Sequence, residues 1–175
     1  MAAVVKLSDE TVERLCAAYE HVYPVNYNCD GQVAVAGERA QLDKFYDDVA
    51  AAGGRSVPLK VSSGFHSPFM DGAARNFHAY ISNVAFTKPK ITTYANRTAE
   101  PYGPDVRTLL FEQINHPVRW AKTMQTLGAQ GFDTFIECGA GSVLRRLAQK
   151  NLADCRAYAV ETPDGIEKLR EAGVL

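Results

Sequence analysis

The sequence predicts an α/β fold, because strand-like and helix-like runs alternate along its 175 residues in two successive patterns. The first pattern covers residues 1–62 in the order β-α-β-β-α-β, which is the ferredoxin-like arrangement. The second covers residues 63–175 and combines several helices with only about three strands. So small a sheet gives little support to so many helices. We therefore expect a small ferredoxin-like subdomain followed by part of a larger, layered α/β subdomain.

The elements of the first pattern follow from hydrophobic spacing and turn signals. "AAVVKL" is typical of a strand, and Ser8 can cap the acidic first turn of the helix that follows. "VYPVNYN" and "QVAVAG" are strand-like runs separated by the turn signal "CDG". Residues 38–52 predict an amphipathic helix, a glycine pair ends it, and "RSVPLKV" predicts the last strand. The inner face of that helix is predicted to contain Leu42, Phe45 and Val49.

The second pattern begins at Pro68, which can open a helix. The apolar face of this helix is predicted to consist of Met70, Ala73, Phe77 and Tyr80. "ITTYAN" predicts a strand, "DVRTLLFEQI" a helix, and residues 119–130 another helix. "DTFIEC", "SVLRRLAQK" and "RAYAVE" then predict a strand, a helix and a strand, and "PDGIEKLREAG" predicts a last short helix.

Composition excludes several classes of protein. With 19 basic and 20 acidic residues the chain has no positive excess for binding nucleic acid. No apolar stretch approaches the roughly 20 residues that a membrane helix needs, and no signal peptide begins the chain. The four cysteines form no C-x-x-C pair, and the histidines have no metal-ligand spacing. We expect a soluble cytoplasmic protein that uses no metal.

The segment "VSSGFHSP" places His66 in a loop of small residues. Histidine has an ordinary pKa near neutrality, so a histidine in such a loop can act as a general base. It can equally form a local hydrogen bond with no catalytic role. No carboxylate lies in the same loop to orient the ring, so a backbone carbonyl would have to fix its tautomer.

Two other segments have both a plain and a functional interpretation. In "NYNCDGQ", Asn26 and Asn28 either serve turn chemistry or, by strand alternation, share one face and reach one ligand. "ECGAGSVLRRL" resembles a phosphate-binding loop but lacks the Walker lysine and the third glycine of the dinucleotide fingerprint, which favours a close strand-to-helix turn. Its helix has a basic face, which is either solvated surface or a docking site for an acidic protein. The residues of this face are Arg145, Arg146 and Lys150.

Taken in order, five segments resemble the malonyl-CoA:acyl carrier protein transacylases and the related acyltransferase domains of polyketide synthases. They are residues 1–16, "YPVNYNCDGQVAVAGE", "VSSGFHSPFM", "EQINHPVRW" and "IECGAGSVLRRL". Together they extend over essentially the whole chain. The resemblance implies a ferredoxin-like subdomain followed by part of an α/β-hydrolase-like layered subdomain.

The resemblance also implies a mechanism. In this family a serine in a G-H-S-x-G elbow is activated by a histidine, accepts malonyl from coenzyme A, and passes it to the phosphopantetheine thiol of acyl carrier protein. His66 would be that base, with its ring oriented by the backbone carbonyl of Gln113. Asn26 and Asn28 would line the cleft, and Phe65 would favour malonyl over methylmalonyl groups. Malonyl-CoA and acyl carrier protein are the implied partners, with the basic face of residues 145–150 as a docking site, and no cofactor is implied.

The sequence departs from the family at one decisive point, because it contains no G-H-S-x-G. The family carries this elbow upstream of the ferredoxin-like subdomain. Asp30 and Ala140 also replace two prolines of the family, both at turn positions that tolerate the change. We expect a chain that carries the base but lacks the nucleophile and is inactive alone, the missing N-terminal part being absent or a separate chain. The alternatives are a non-catalytic module or fragment that binds acyl-CoA or carrier protein, and a hydrolase that would also need the absent serine.

Overall fold

The computed structural model describes residues 1–87 and 89–175. The described chain forms two compact units, Met1–Thr123 and Met124–Leu175. Helices and strands are mixed in both, which confirms the predicted α/β class. The predicted boundary near residue 62 follows the last strand of the first sheet and remains a prediction about domain organisation.

The first unit begins with a four-stranded antiparallel sheet in the order β2-β3-β1-β4. Its elements are β1 (Ala2–Val5), α1 (Asp9–Cys16), β2 (Val22–Cys29), β3 (Gln32–Gly37), α2 (Arg39–Ala51) and β4 (Arg55–Pro58). The registers include Val4 opposite Val33 in β3 and opposite Ser56 in β4. This element order and strand order are those of the ferredoxin-like arrangement, as the sequence predicts.

The core of this sheet lies between one of its faces and the two helices. Ser8 caps α1 by accepting a hydrogen bond from the Thr11 amide at 3.3 Å. From α2, the three predicted inner side chains are all buried. They pack with a cluster that also contains Ala2, Val4, Leu7, Val12, Cys16, Val22, Val33 and Val35. A smaller cluster of Val25, Ala34 and Ala36 lies on the other face.

The rest of the first unit is helical with irregular connections. A 3₁₀ turn (Pro68–Met70) leads into α3 (Asp71–Ile81), and α4 (Val106–Asn115) packs against α3. Asp105 caps α4 by accepting from the Thr108 amide. Helix α5 (Trp120–Ala129) contains the boundary between the units.

Two sequence predictions in this part are wrong. Residues 91–96 form no strand, only an isolated antiparallel bridge of Tyr94 with Pro101, a residue that has no amide N–H to donate to a ladder. Beside this bridge, the amides of Ala95 and Tyr102 donate to the carbonyls of Glu100 and Thr93. The predicted apolar face of α3 is also wrong, since Tyr80 is 79% exposed and Ile81 is buried. Ala74, His78 and Ile81 share a face, and the His78 ring lies 4.5 Å from the Phe111 ring of α4. Both faces have helical spacing, so only the position of α4 decides between them.

The second unit contains β5 (Thr134–Cys138), α6 (Val143–Asn151), β6 (Arg156–Val160) and α7 (Pro163–Glu171). The two strands are parallel, with Thr134 opposite Arg156 and Cys138 opposite Val160. Helix α6 is the crossover between them, as a parallel pair requires. In the part of the chain that the structure describes, no helix has the length and apolarity to cross a membrane.

Candidate functional site

The loop that carries His66 has a tightly defined backbone. His66 has a φ of 61°, a left-handed conformation that costs a non-glycine residue on the order of 1 kcal/mol. The buried Ser67 hydroxyl donates to the Gly64 carbonyl and closes the loop. A Cβ on Gly64 would lie 2.6 Å from Cδ2 of Phe69, so a larger residue here would force the Phe69 ring to move. The surrounding contacts therefore hold His66 in a conformation that a free loop would avoid.

Two hydrogen bonds attach His66 to the last turn of α4. Its Nδ1 lies 2.8 Å from the Gln113 carbonyl oxygen, and its backbone amide donates to the Ile114 carbonyl at 3.2 Å. A carbonyl only accepts, so Nδ1 carries a proton, and in the neutral ring Nε2 therefore keeps its lone pair. The contact between His66 and Gln113 is the one that the family resemblance implies. In this arrangement the ring is ready to accept a proton at Nε2.

The carbonyls are available to His66 because α4 ends beside it. The last carbonyls of a helix have no partners within the helix. His66 supplies two of the missing donors. Helix α4 stops at Asn115 because His116 precedes Pro117 and is extended, with φ −122° and ψ 156°. The "NHP" sequence thus determines where the carbonyl oxygens of Gln113 and Ile114 lie.

The end of α4 is also fixed on its other side by residues of the 93–102 turn. The Gln113 side-chain oxygen accepts from the Asn96 amide at 2.8 Å, and Arg97 forms an ion pair with Glu112. Burial raises the pKa of Tyr102, and a hydrogen bond with the Gln113 side chain opposes that rise. Gln113 therefore orients His66 through its backbone while its side chain binds the neighbouring turn.

Asn26 lies in β2 opposite Ala34, and the two residues that flank it bind the segment after α4. The Tyr27 amide donates to the Val118 carbonyl at 2.9 Å, and the Val118 amide donates to the Val25 carbonyl at 2.9 Å. The predicted alternation does not continue to Asn28, because the strand is irregular between Tyr27 and Cys29. Alternation therefore no longer places Asn26 and Asn28 on one face, and their role in a cleft remains a prediction.

Phe65 is 38% exposed beside His66. A cavity of about 580 Å³ lies along the same loop and has Ser62, Ser63 and Gly64 in its wall. Glu38, the N-cap of α2, and Arg39, the first residue of that helix, also line the cavity. Phe65 and His66 are not among the residues that line this cavity.

Arg145, Arg146 and Lys150 lie on α6 in the second unit. The Glu137 carboxylate accepts from the amides of Leu144 and Arg145 at 3.1 and 2.9 Å. A side chain of the protein thus occupies the helix N-terminus where a phosphate would bind, which supports the strand-to-helix turn. This role of Glu137 was not predicted from the sequence. The signal was a carboxylate near the end of a strand before a glycine turn and a helix.

Comparison with known proteins places this geometry in a family. Residues 1–168 match the family described as the acyl transferase domain. A malonyl-CoA:acyl carrier protein transacylase of Escherichia coli K12 is 31% identical over 172 residues, which are 95% of this chain and 56% of that protein.

Solved structures of similar fold point to the same family. A transacylase of this name from Xanthomonas oryzae superposes with a TM-score of 0.91 at 29% identity, covering 98% of this chain and 57% of that one. A malonyl-transacylase solved in complex with a type II polyketide synthase acyl carrier protein superposes with a TM-score of 0.89 at 31% identity, covering 97% and 58%. This chain thus spans less than two thirds of the relatives it matches. The resemblance read from the five sequence segments is confirmed, and the chain belongs to the acyl transferase domain family.

Proposed function

We propose that this chain is the histidine-bearing part of a malonyl-CoA:acyl carrier protein S-malonyltransferase, with His66 as its general base. The observation that carries the proposal is the 2.8 Å contact between Nδ1 of His66 and the Gln113 carbonyl oxygen. That contact leaves the Nε2 lone pair for the proton of a nucleophile. The left-handed backbone of His66 supports it, since strained residues cluster at functional sites.

In the proposed reaction His66 acts twice. Nε2 first takes the proton of a serine hydroxyl as the serine oxygen attacks the malonyl thioester. It returns that proton to the departing coenzyme A sulfur, which leaves a malonyl-serine ester. Nε2 then takes the proton of the carrier protein's phosphopantetheine thiol as its sulfur attacks the ester, and it returns the proton to the serine oxygen. One base thus serves both half-reactions, and no metal or redox cofactor takes part.

The serine of this reaction lies outside these 175 residues, which contain no G-H-S-x-G. Ser67 is buried and its hydroxyl donates to Gly64 within the loop, so it is engaged in holding the loop. We propose that the nucleophilic serine lies in a segment that corresponds to the part of the relatives that this chain does not span. The 175-residue chain alone is then inactive, because removal of the nucleophile removes the covalent route.

The test is an acyl-trapping assay. The chain is incubated with radiolabelled malonyl-CoA alone, and then with a separate polypeptide that carries the G-H-S-x-G part of a relative. His66→Ala is the test variant, and His21→Ala is the matched control in the same unit. We expect label only on the supplied polypeptide, lost with His66→Ala and kept with His21→Ala, and passed on to acyl carrier protein when it is added.

Absence of label from an associated and folded mixture would overturn the proposal. The second candidate, a binding module, would then remain, and it is distinguished by titration. A binding module binds malonyl-CoA or carrier protein equally well with and without the His66→Ala change, and transfers nothing. The oriented ring favours the enzyme, since binding alone does not need a fixed tautomer.

A further inference from the structure

The amide side chain of Asn115 joins the two segments that meet at His66. Its Nδ2 donates to Oδ1 of Asp71 at 2.8 Å, and both residues are half-buried. Asp71 is the first residue of α3 and follows His66 by five positions. Asn115 is the last residue of α4 and follows Gln113 by two positions. One hydrogen bond therefore connects the segment that carries the base to the helix end that orients it.

The direction of this hydrogen bond is fixed by His116. Nδ1 of His116 lies 2.8 Å from Oδ1 of Asn115 and 3.0 Å from the Glu112 carbonyl oxygen. A carbonyl can only accept, so Nδ1 of His116 carries a proton that the Asn115 oxygen also accepts. The amide nitrogen of Asn115 is then turned toward the Asp71 carboxylate, which is an acceptor. Both ends of the amide are used, so its orientation is determined.

Two other side-chain contacts at the end of α4 lead to a different segment. The Arg97–Glu112 ion pair and the hydrogen bond from Asn96 to the Gln113 side chain join α4 to the 93–102 turn. Relative to the loop of His66, α4 is held by the hydrogen bond from the His66 backbone amide to the Ile114 carbonyl and by its packing against α3. The Asn115–Asp71 hydrogen bond adds a side-chain connection between the start of α3 and the end of α4.

We propose that Asn115 and Asp71 are positioning residues that keep the Gln113 carbonyl on Nδ1 of His66 and so favour the neutral tautomer whose Nε2 is unprotonated. As a statement about catalysis, this rests on the proposed function. A movement of about 1 Å takes a 2.8 Å contact out of hydrogen-bonding range. In an enzyme such a misplacement can lower the rate on the order of 100-fold. Neither residue touches the reacting atoms.

The experiment measures the tautomer of His66 by ¹⁵N NMR in the 175-residue chain labelled at histidine, at a pH well above the ordinary histidine pKa. A His66→Gln sample assigns the signal. Asn115→Asp places two carboxylates against each other, and we expect the ratio of the Nδ1–H to the Nε2–H tautomer to fall about five- to tenfold. Asn76→Asp, an exposed site on α3, adds the same charge and is expected to leave the ratio unchanged.

Restoration by a second change separates positioning from general stability. In the double variant Asp71→Asn/Asn115→Asp the hydrogen bond is reversed, because the new amide at position 71 donates to the new carboxylate at position 115. That carboxylate can still accept from the ring of His116. We expect the wild-type tautomer ratio to return. Asp71→Asn alone keeps an acceptor oxygen and is expected to resemble the wild type. An unchanged ratio in folded Asn115→Asp, or no recovery in the double variant, would overturn the proposal.

The same variants in the acyl-trapping mixture show whether the catalytic statement holds. We expect transfer to fall about 10- to 100-fold with Asn115→Asp and to recover in the double variant. If the tautomer changes as expected and no mixture transfers malonyl, the positioning role stands and the proposed function fails. If transfer occurs and is indifferent to Asn115→Asp, the positioning role fails and the proposed function stands.

Discussion

The two sheets of the molecule differ in how completely their own chain covers them. In the antiparallel sheet of residues 2–58, Val4, Val33 and Val35 are fully buried under α1 and α2. In the parallel pair of residues 134–160, Ile136 is 39% exposed and no residue of β5 or β6 is buried. The antiparallel sheet thus forms part of a closed hydrophobic core, whereas the parallel pair remains partly exposed to solvent.

The difference follows from the way the two kinds of sheet are built. An antiparallel sheet can bury one face with the helices that connect its own strands. Parallel sheets are almost always covered on both faces, and a pair of strands is marginal on its own. The second unit buries Leu147, Ala148 and Leu169 but leaves Phe132, Val143 and Ile166 exposed. Most of the hydrophobic stabilisation in the described chain therefore belongs to the first sheet.

The largest expected effect is that of removing an aromatic ring from the closed core. Phe45 is fully buried and meets Tyr19 edge-on at 5.8 Å. We expect Phe45→Ala to lower the free energy of unfolding by about 3–5 kcal/mol. Phe132, which is 56% exposed in the second unit, is the matched site, and Phe132→Ala should change it by less than about 0.5 kcal/mol.

Urea denaturation followed by circular dichroism measures both values. Equal losses from the two changes would contradict the comparison, because they would mean that the exposed region carries as much of the stability as the core. A larger loss of unfolding free energy from Phe132→Ala than from Phe45→Ala would reverse the comparison.

The next effect compares two cysteines. Cys16 is buried in the first core, and burial together with the Glu13 carboxylate raises the pKa of its thiol to about 12, from an ordinary value of 9.0. A rise of this size reduces its thiolate on the order of 1,000-fold at neutral pH. Cys138, at the end of β5, is exposed. We expect iodoacetamide to modify Cys138 at least about 100-fold faster than Cys16, as measured by mass spectrometry of tryptic peptides over time.

Denaturant provides the control for this measurement. In urea the two thiols lose their different surroundings, and their rates should converge. Fast modification of Cys16 without denaturant would show that the first core opens readily, against the comparison.

The same contrast separates what the sequence could predict from what it could not. Residues 1–58 were predicted element by element, because each strand and helix carries its own spacing and ends at its own turn signal. The contact between His66 and Gln113 was available only through the family resemblance, since 47 positions separate the two residues. No local pattern relates them.

Features that depend on the position of a neighbouring element could not be predicted. The buried face of α3 required the position of α4, and the irregularity at Asn28 required the register of β2 on β3. The Asn115–Asp71 hydrogen bond joins two ordinary polar residues that are 44 positions apart. Each of these is a tertiary effect, where packing decides between options that local propensity leaves equal.

The smallest expected effect is a pH dependence of opposite sign in the two regions. Burial, with the nearby carboxylates of Glu10, Glu13 and Asp30, raises the pKa of Asp9. A raised folded-state pKa contributes stability below the ordinary value of 3.8, and this contribution is lost as the pH rises through the folded pKa. At neutral pH, Asp9→Asn should therefore raise the melting temperature, by about 1 °C after allowance for solvent screening. The difference should vanish below pH 3.8.

The pKa of Asp133, in the second unit, is shifted in the opposite direction. A hydrogen bond from the Thr134 hydroxyl, with a further contribution from Arg156, lowers its pKa. That stabilises the folded chain above pH 3.8 and is lost as the pH falls through the lowered folded pKa. Asp133→Asn should thus lower the melting temperature at neutral pH, and this difference should disappear in acid. Calorimetry from about pH 3 to pH 7 measures how the change in melting temperature caused by each substitution varies with pH. If the two changes in melting temperature varied with pH in the same direction, the contacts of Asp9 and Asp133 would not shift their pKa values in opposite directions, and the prediction would be wrong.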